Sequence, residues 1–450
     1  MYIGFDYGTA NCAIATMMNG QPQLLPIENE QPYIASSLAA PNRESVSEVL
    51  FRLYDINPLS KAGEQLLRRA ITFNRDEGID IDHQSLLFGE NALNHYLADP
   101  EETYFVKSPK SFLGASGLQE SQIALFEDLV CAMMANIKQK GEAVLQKEIR
   151  DVVIGRPVNF QGIGGEKANH QAQSILNSAA TRAGFKSIAF QYEPVAAGIE
   201  FEHQLTTNQR VLVVDIGGGT TDCSMIEMGP KWRDKTERSD SLLAHTGLRV
   251  GGNDLDIATA YQKIMPLFGK NHRDKRGLAL PVSQFWNPVA INNVVAQGDF
   301  YARTNARAIT DMIRNVDDNN ELPRLLNLQQ QRLGYHVVRE AELMKIALSG
   351  EPSIKKTIHF NDEQLGLTCT QDEFLAAIDG SIDKIIALIE EAVKQSAVTP
   401  DTVFITGGSA RSPLLRARIA NQLPDAKIVG GDFFGSVTAG LARWAERCFK

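Results

Sequence analysis

The chain opens on a run of mainly apolar positions, Tyr2-Ile3-Gly4-Phe5, closed by Asp6, and this predicts a strand. A Gly8-Thr9 turn follows, and Cys12 to Met17 predict a returning strand. From Ser121 to Ile149 the apolar residues Ile123, Phe126, Val130, Met133, Ile137 and Val144 recur at helical spacing. Val152 to Ile154 is a short apolar run of buried-strand type, broken at Gly155-Arg156-Pro157. Glu166 to Ala183 predict a helix with Ala172, Leu176 and Ala179 on one face, and Ser187 to Gln191 predict a strand leading into Glu193-Pro194.

The pattern then repeats. Val211 to Asp215 form a buried strand, Gly217-Gly218-Gly219-Thr220 a turn, and Asp222 to Ile226 the return. Aligning Thr9 with Thr220 sets Asn11 against Asp222 and Cys12 against Cys223. This predicts an α/β fold of two duplicated lobes. Residues 30–105 are less regular, with an amphipathic piece at Ala62 to Phe73, and residues 262–335 are loop-broken, with a basic stretch from Lys270 to Arg276 expected to be a solvated loop. Both read as peripheral subdomains.

Composition narrows the class. Of 450 residues, 43% are hydrophobic and 22% charged, enough for a large globular core. A net charge of −9 argues against nucleic acid as the main partner. Five scattered cysteines without a C-x-x-C pair fit a reducing compartment with neither disulfide framework nor zinc site. No basic leader precedes the first strand, and no apolar run nears the ~18 residues of a spanning helix, so the expectation is cytoplasmic, with no membrane association.

The candidate chemistry lies in the paired turns, Asp6-Tyr7-Gly8-Thr9 and Asp215-Ile216-Gly217-Gly218-Gly219-Thr220. Glycines let the backbone approach phosphate oxygens, threonine adds a donor, and a strand-end aspartate can hold magnesium through water. Neither a G-x-x-x-x-G-K-[ST] loop nor a helix-opening G-x-G-x-x-G is present. A third turn, Phe404-Ile405-Thr406-Gly407-Gly408-Ser409-Ala410-Arg411, precedes a helix near Ser412-Pro413 and suits a nucleoside or its α-phosphate; Val250-Gly251-Gly252-Asn253-Asp254 also opens a helix.

These four segments, with Gly155-Arg156-Pro157, the stretch from Gln191 to Gly198 and Leu87-Phe88-Gly89, resemble in order and spacing the nucleotide motifs of the DnaK-type heat-shock chaperones. The resemblance spans nearly the whole chain. It implies an actin-like ATPase fold: lobe I at 1–205 with a peripheral subdomain near 32–117, lobe II at 206–432 with one near 247–350, and a helix at 433–450 returning to lobe I. It implies ATP or ADP with Mg2+, and K+ near Asp222. Asp6 and Asp215 would surround hydrated magnesium, with Asp222 the third metal-site residue. Gly8, Thr9, Ala10 and Asn11 would clamp phosphate with Gly217, Gly218, Gly219 and Thr220. Glu193 would place the attacking water with Lys110, for which Lys107 is a rival, and Asp215 and Thr220 would share in catalysis. Gly252, Gly407, Gly408, Ser409 and Arg411, with Glu342, Lys345 and Ser349, would hold the nucleoside.

The resemblance also exposes departures. Ile346 stands where the chaperones place an arginine over adenine, Asp432-Phe433-Phe434-Gly435-Ser436 departs from their late acidic motif, and Gly440 is kept. No apolar linker or β-rich peptide-binding domain follows Lys450, so clients are not expected to be held by the DnaK route. The expected function is a slow ATPase switch acting on an unidentified protein partner. The rivals are a small-molecule kinase, a filament protein and a regulator of the same fold.

Overall fold

The apolar runs of each half become the centre of a mixed sheet in the computed structural model, which describes residues 1–160, 165–233, 235, 238–317, 320–430 and 435–450. In the first half the strands are β1 (Tyr2–Tyr7), β2 (Asn11–Met18), β3 (Gln21–Leu24), β4 (Tyr33–Ala35), β5 (Ser37–Ala40), β6 (Leu87–Phe88), β7 (Tyr104–Lys107), β8 (Asp151–Arg156) and β9 (Ser187–Tyr192). In the second they are β10 (Gln209–Ile216), β11 (Thr221–Met228), β12 (Leu242–Leu248), β13 (Ser353–Phe360), β14 (Glu363–Thr370), β15 (Thr402–Thr406) and β16 (Lys427–Gly430).

The chain divides into two compact units. One holds Met1–Gly252, Lys384–Arg411 and Leu415–Lys450; the other holds Asn253–Asp383 and Ser412–Leu414.

The first unit contains both copies of the repeat. One sheet runs β3-β2-β1-β8-β9 with β4 on β2, and the other runs β12-β11-β10-β15-β16. In each, the central strand pairs antiparallel with the strand returning from its glycine turn and parallel with a later one. The parallel strands β8 and β10 are buried along their middles, as strands covered on both faces must be.

The registers correct the alignment of the two turns. Tyr7 pairs with Cys12 and Ile216 with Thr221, so each turn has four unpaired residues, 8–11 and 217–220. Superposing Asp6 on Asp215 therefore sets Thr9 at Gly218, Asn11 at Thr220 and Ala13 at Asp222, two residues away from the threonine-based alignment. The hairpin width is what repeats, and the threonine occupies a different corner in each copy.

The helix Glu193–Glu202 and the last helix, Gly435–Phe449, join the two sheets. Ala196, Ala197 and Leu441 share one apolar cluster with Val153 of the first sheet and Val211 and Val213 of the second. The approach is set by glycine. A Cβ on Gly440 would stand 1.8 Å from Ala196 O, and one on Gly4 would stand 2.2 Å from Ala442 N. Gly440→Ala should gain up to about 1 kcal/mol of helix propensity but lose ~3 kcal/mol to overpacking, so the clash wins. Urea denaturation is expected to show a net loss near 2 kcal/mol, and an unchanged midpoint would mean that the two helices are free to separate.

The helix Glu120–Leu145 stops short of Ile149 because Gln146 turns left-handed at φ 51°. It packs with Gly165–Arg182 over the other face of the first sheet, where Leu129, Met133 and Ile175 meet Ile3 and Phe5.

In the second unit, the stretch 262–335, expected to be loop-broken, alternates turns with helices. It carries the short helices Val294–Tyr301, Arg303–Arg314 and Leu322–Gln330. The basic stretch is the exposed turn expected, with Arg273, Lys275 and Arg276 open to solvent, while His272 meets Glu321 at 2.7 Å and Lys270 lies 4.1 Å from the centre of the Tyr261 ring. The β13–β14 hairpin packs here, with Phe360 edge-on to Phe268 at 4.8 Å. Among the described residues, no helix is long and apolar enough to cross a membrane.

Candidate functional site

Asp6 and Asp215 sit at the ends of β1 and β10, each leading into its four-residue turn. The turns meet face to face. A Cβ on Gly218 would lie 2.6 Å from Ala10 Cβ and 2.9 Å from Ala10 N, and one on Gly219 would lie 2.7 Å from Thr9 Cγ2. Only residues without a Cβ permit this approach. Gly8 leaves 2.2 Å to Asn11 O for the same hypothetical atom, and the Gly217 amide donates to Thr220 O at 2.9 Å, closing the second turn.

The other glycine motifs converge on this second turn. Gly407, at φ 89°, would place a Cβ 2.3 Å from Ile216 O and 2.7 Å from Asp215 Oδ1. Gly408 to Arg411 make one 3-10 turn, in which Ser409 Oγ donates to Gly217 O at 3.5 Å. The Gly252 amide donates to the same Gly217 oxygen at 2.9 Å.

Lys110 reaches the site through a relay of backbone hydrogen bonds. Ser36 N donates to Ala10 O at 2.8 Å, Ser108 N to Ser36 O at 2.7 Å, and Ser111 N to Ser108 O at 2.9 Å. Ser108 turns left-handed at φ 59°, and Pro109 opens the 3-10 turn Pro109–Phe112 that carries Lys110 inward. Its Nζ donates to Glu193 Oε1 at 2.5 Å, with both residues buried. Glu193 opens its helix immediately before Pro194, a first-turn position suited to both residues. Lys107 ends the peripheral strand β7.

The surrounding electrostatics are those of crowded carboxylates. Burial, then the Glu193 charge, push Asp6 up to about 7 against the pull of Lys110. Burial and Glu193 likewise push Asp222 to about 7, although Val158 N donates to its Oδ1 at 2.7 Å. Asp215 rises well above the usual carboxylate range through burial and the charges of Glu193, Asp222 and Asp6. For Lys110, burial pulls downward, but Glu193 and Asp6 outweigh it and hold the ammonium above its ordinary value. Among the described residues no three His, Cys, Asp or Glu side chains are grouped to hold a metal ion directly; magnesium retains waters that extend the reach of its ligands, which is how separated carboxylates engage it.

Thr9, Lys110, Gly219 and Thr220 line a small cavity that opens to solvent. Ser111, Pro157, Phe160 and Arg249 complete its wall, and sequence reasoning named none of them as site residues. The available signals were positional: Pro157 and Phe160 follow the glycine break after β8, and Arg249 directly precedes the Val250-Gly251-Gly252 turn.

Glu342, Lys345 and Ser349 belong to the second unit and to the helix Gly334–Leu348 and its C-cap. Lys345 Nζ donates to Asp256 Oδ2 at 2.9 Å, Glu342 accepts from Arg339 at 2.8 Å, and Ser349 Oγ donates to Lys345 O at 3.0 Å. Ile346 is 58% exposed. Asp432, Phe433 and Phe434 lie outside the described residues, whereas Ser436 Oγ is 2.6 Å from Thr406 Oγ1.

Two opposed turns rich in backbone N–H groups, backed by carboxylates and a buried Lys–Glu pair, can bind a phosphate chain and place a water against it. Residues 118–260 match the family model described as Hsp70 protein. The matched stretch includes Glu193, Asp215, Asp222, Arg249 and the second turn.

Proposed function

We propose that this chain, which carries an Hsp70-type nucleotide-binding domain within the actin-like ATPase fold, is an ATP-driven switch that hydrolyses ATP slowly and passes the change to a protein partner. Hsp70-family proteins bind and hydrolyse ATP with magnesium and act on client proteins. The observation that carries the reading is the contact of the two turns, Gly218 against Ala10 and Gly219 against Thr9, at the cavity that Lys110 lines.

In this proposal the backbone N–H groups of residues 8–11 and 217–220, with the Thr9 and Thr220 hydroxyls, clamp the phosphates from two sides. Asp6, Asp215 and Asp222 would hold magnesium, with K+ near Asp222, and the metal would supply positive charge against the phosphates. Glu193 holds the attacking water, and Lys110 fixes Glu193 while facing the phosphate. Catalysis is then positioning and charge stabilisation, as phosphoryl transfer requires.

Calorimetry tests the binding half. Mg-ATP should bind the native protein, and the Asp215→Lys, Thr220→Val double variant should lose it while keeping its circular dichroism. Undiminished affinity in that variant removes the reading. Turnover measured with and without a panel of sugars tests the other half, since stimulation by an acceptor would mark a kinase instead.

Ile346 supplies a prediction for the base. A cation over an aromatic face is worth roughly 0.5–2 kcal/mol, which is about two- to thirtyfold in affinity. Isoleucine packs on a ring but lacks that attraction. Ile346→Arg is therefore expected to tighten ADP binding several-fold and leave the melting temperature unchanged, because the position is exposed. No gain in affinity would remove adenine from this helix.

A further inference from the structure

Arg249 is absent from the roles assigned above, yet its surroundings are built with care. Leu248, just before it, pairs with Thr221 at the start of β11. Val250, just after it, donates its amide to Leu248 O at 3.0 Å and accepts from Thr221 Oγ1 at 2.8 Å. The next residue, Gly251, lies so close to the second turn that a Cβ would be 2.7 Å from Gly217 O. Arg249 is thus the central residue of a three-residue turn closed by an i to i+2 hydrogen bond and pinned on both sides to the second glycine turn. Arg249 lines the cavity together with Thr9, Lys110, Gly219 and Thr220.

The charges give this placement a purpose. Lys110 is committed to Glu193 at 2.5 Å, and Asp6, Asp215 and Asp222 add further negative charge around that pair. A polyphosphate entering the cavity meets Lys110 with its carboxylate partner Glu193 beside it. Arg249, on another segment of the same wall, brings a second cation whose planar fork matches phosphate oxygens.

We propose that Arg249 is a phosphate-contacting residue of this cavity and that it binds the terminal phosphate of ATP, so that the site discriminates ATP from ADP. The inference rests on the ATPase reading given above. The β- and α-phosphates have the backbone N–H groups of the turns, whereas the terminal phosphate is the group that an additional cavity cation would serve. Because Arg249 is carried by the segment bonded to the second turn, loss of that phosphate on hydrolysis is felt directly by the Val250-Gly251-Gly252 backbone.

The test compares ATP and ADP affinity, in magnesium, for the native protein, Arg249→Gln and Arg249→Lys, together with turnover at saturating ATP. A charge-assisted hydrogen bond lost from the terminal phosphate lowers ATP affinity roughly ten- to a hundredfold. ADP affinity should stay within about twofold, and turnover of Arg249→Gln should fall. Arg249→Lys should recover part of the ATP affinity, which a merely structural role for arginine would not predict. Equal weakening of ATP and ADP, or no change in either, overturns the assignment while leaving the ATPase reading standing. A native protein that binds neither nucleotide overturns both, so the two failures are distinct. Melting temperatures within two degrees of native for Arg249→Lys keep the comparison free of misfolding.

Discussion

Glu193→Gln should cut ATP turnover by about a hundredfold or more while leaving Mg-ATP affinity within a few-fold. The substitution preserves shape and removes the charge that would hold the attacking water. It also removes the charge from the 2.5 Å partner of Lys110, but Asp6 stays beside the ammonium and is drawn toward its ionised form by it, so the fold is expected to hold. The reciprocal change is less clean. Lys110→Ala strands Glu193 and Asp6 without their cation, and breaking a buried pair from one side costs about 3–5 kcal/mol. A fall in turnover there would mix catalysis with instability, which is why the glutamine variant carries the test. Lys107→Ala, on the peripheral strand β7, is the matched control and should keep native turnover. Single-turnover kinetics at saturating ATP decides the matter, and a Glu193→Gln rate within threefold of native would exclude this glutamate from the chemistry.

The second large effect concerns the opposed turns. Gly218→Val should weaken Mg-ATP binding about a hundredfold, through geometry alone. Its Cβ would stand 2.6 Å from Ala10 Cβ and 2.9 Å from Ala10 N, so one turn must retreat by about an ångström. Two charge-assisted hydrogen bonds lost in the retreat, at ~1.5 kcal/mol each, account for the hundredfold. Gly380→Ala is the control: nothing lies within 4 Å of its added methyl group, and affinity should be unchanged. If Gly218→Val bound Mg-ATP as tightly as native protein, the phosphates would have to lie elsewhere.

The legible part of this molecule was the part written in short-range chemistry. The strand ends at Asp6 and Asp215, the glycine turns behind them and the apolar runs of β8 and β10 all announce themselves within ten residues. What escaped was set by contacts distant in sequence. The offset between the two turns depends on which residues pair across each hairpin, and a shared threonine was a poor guide to that. Arg249 looks like an ordinary charge between two glycines, and only the pairing of Leu248 with Thr221 reveals that it lines the cavity. Residues 262–335 interrupt their helices with turns, so no single 3.6-residue period runs across the stretch. Lys110 was legible against Lys107 only through the family resemblance; the physical reason, the relay from Ala10 through Ser36 and Ser108, joins three separate stretches of chain.

The glycine contacts of the last helix also dictate an order of assembly. Gly4 touches Ala442 and Gly440 touches Ala196, so the beginning, middle and end of the chain must all be present before the first unit closes. During synthesis at ~5–20 residues per second, β1 waits on the order of half a minute to a minute and a half for its covering helix. Until then Val153, Ala196, Val211 and Val213 present an uncovered apolar face, while the inserted residues from Asn253 to Asp383 have already been made and can fold as a unit. Closure of the larger unit is therefore a late, long-range event in the folding of the chain.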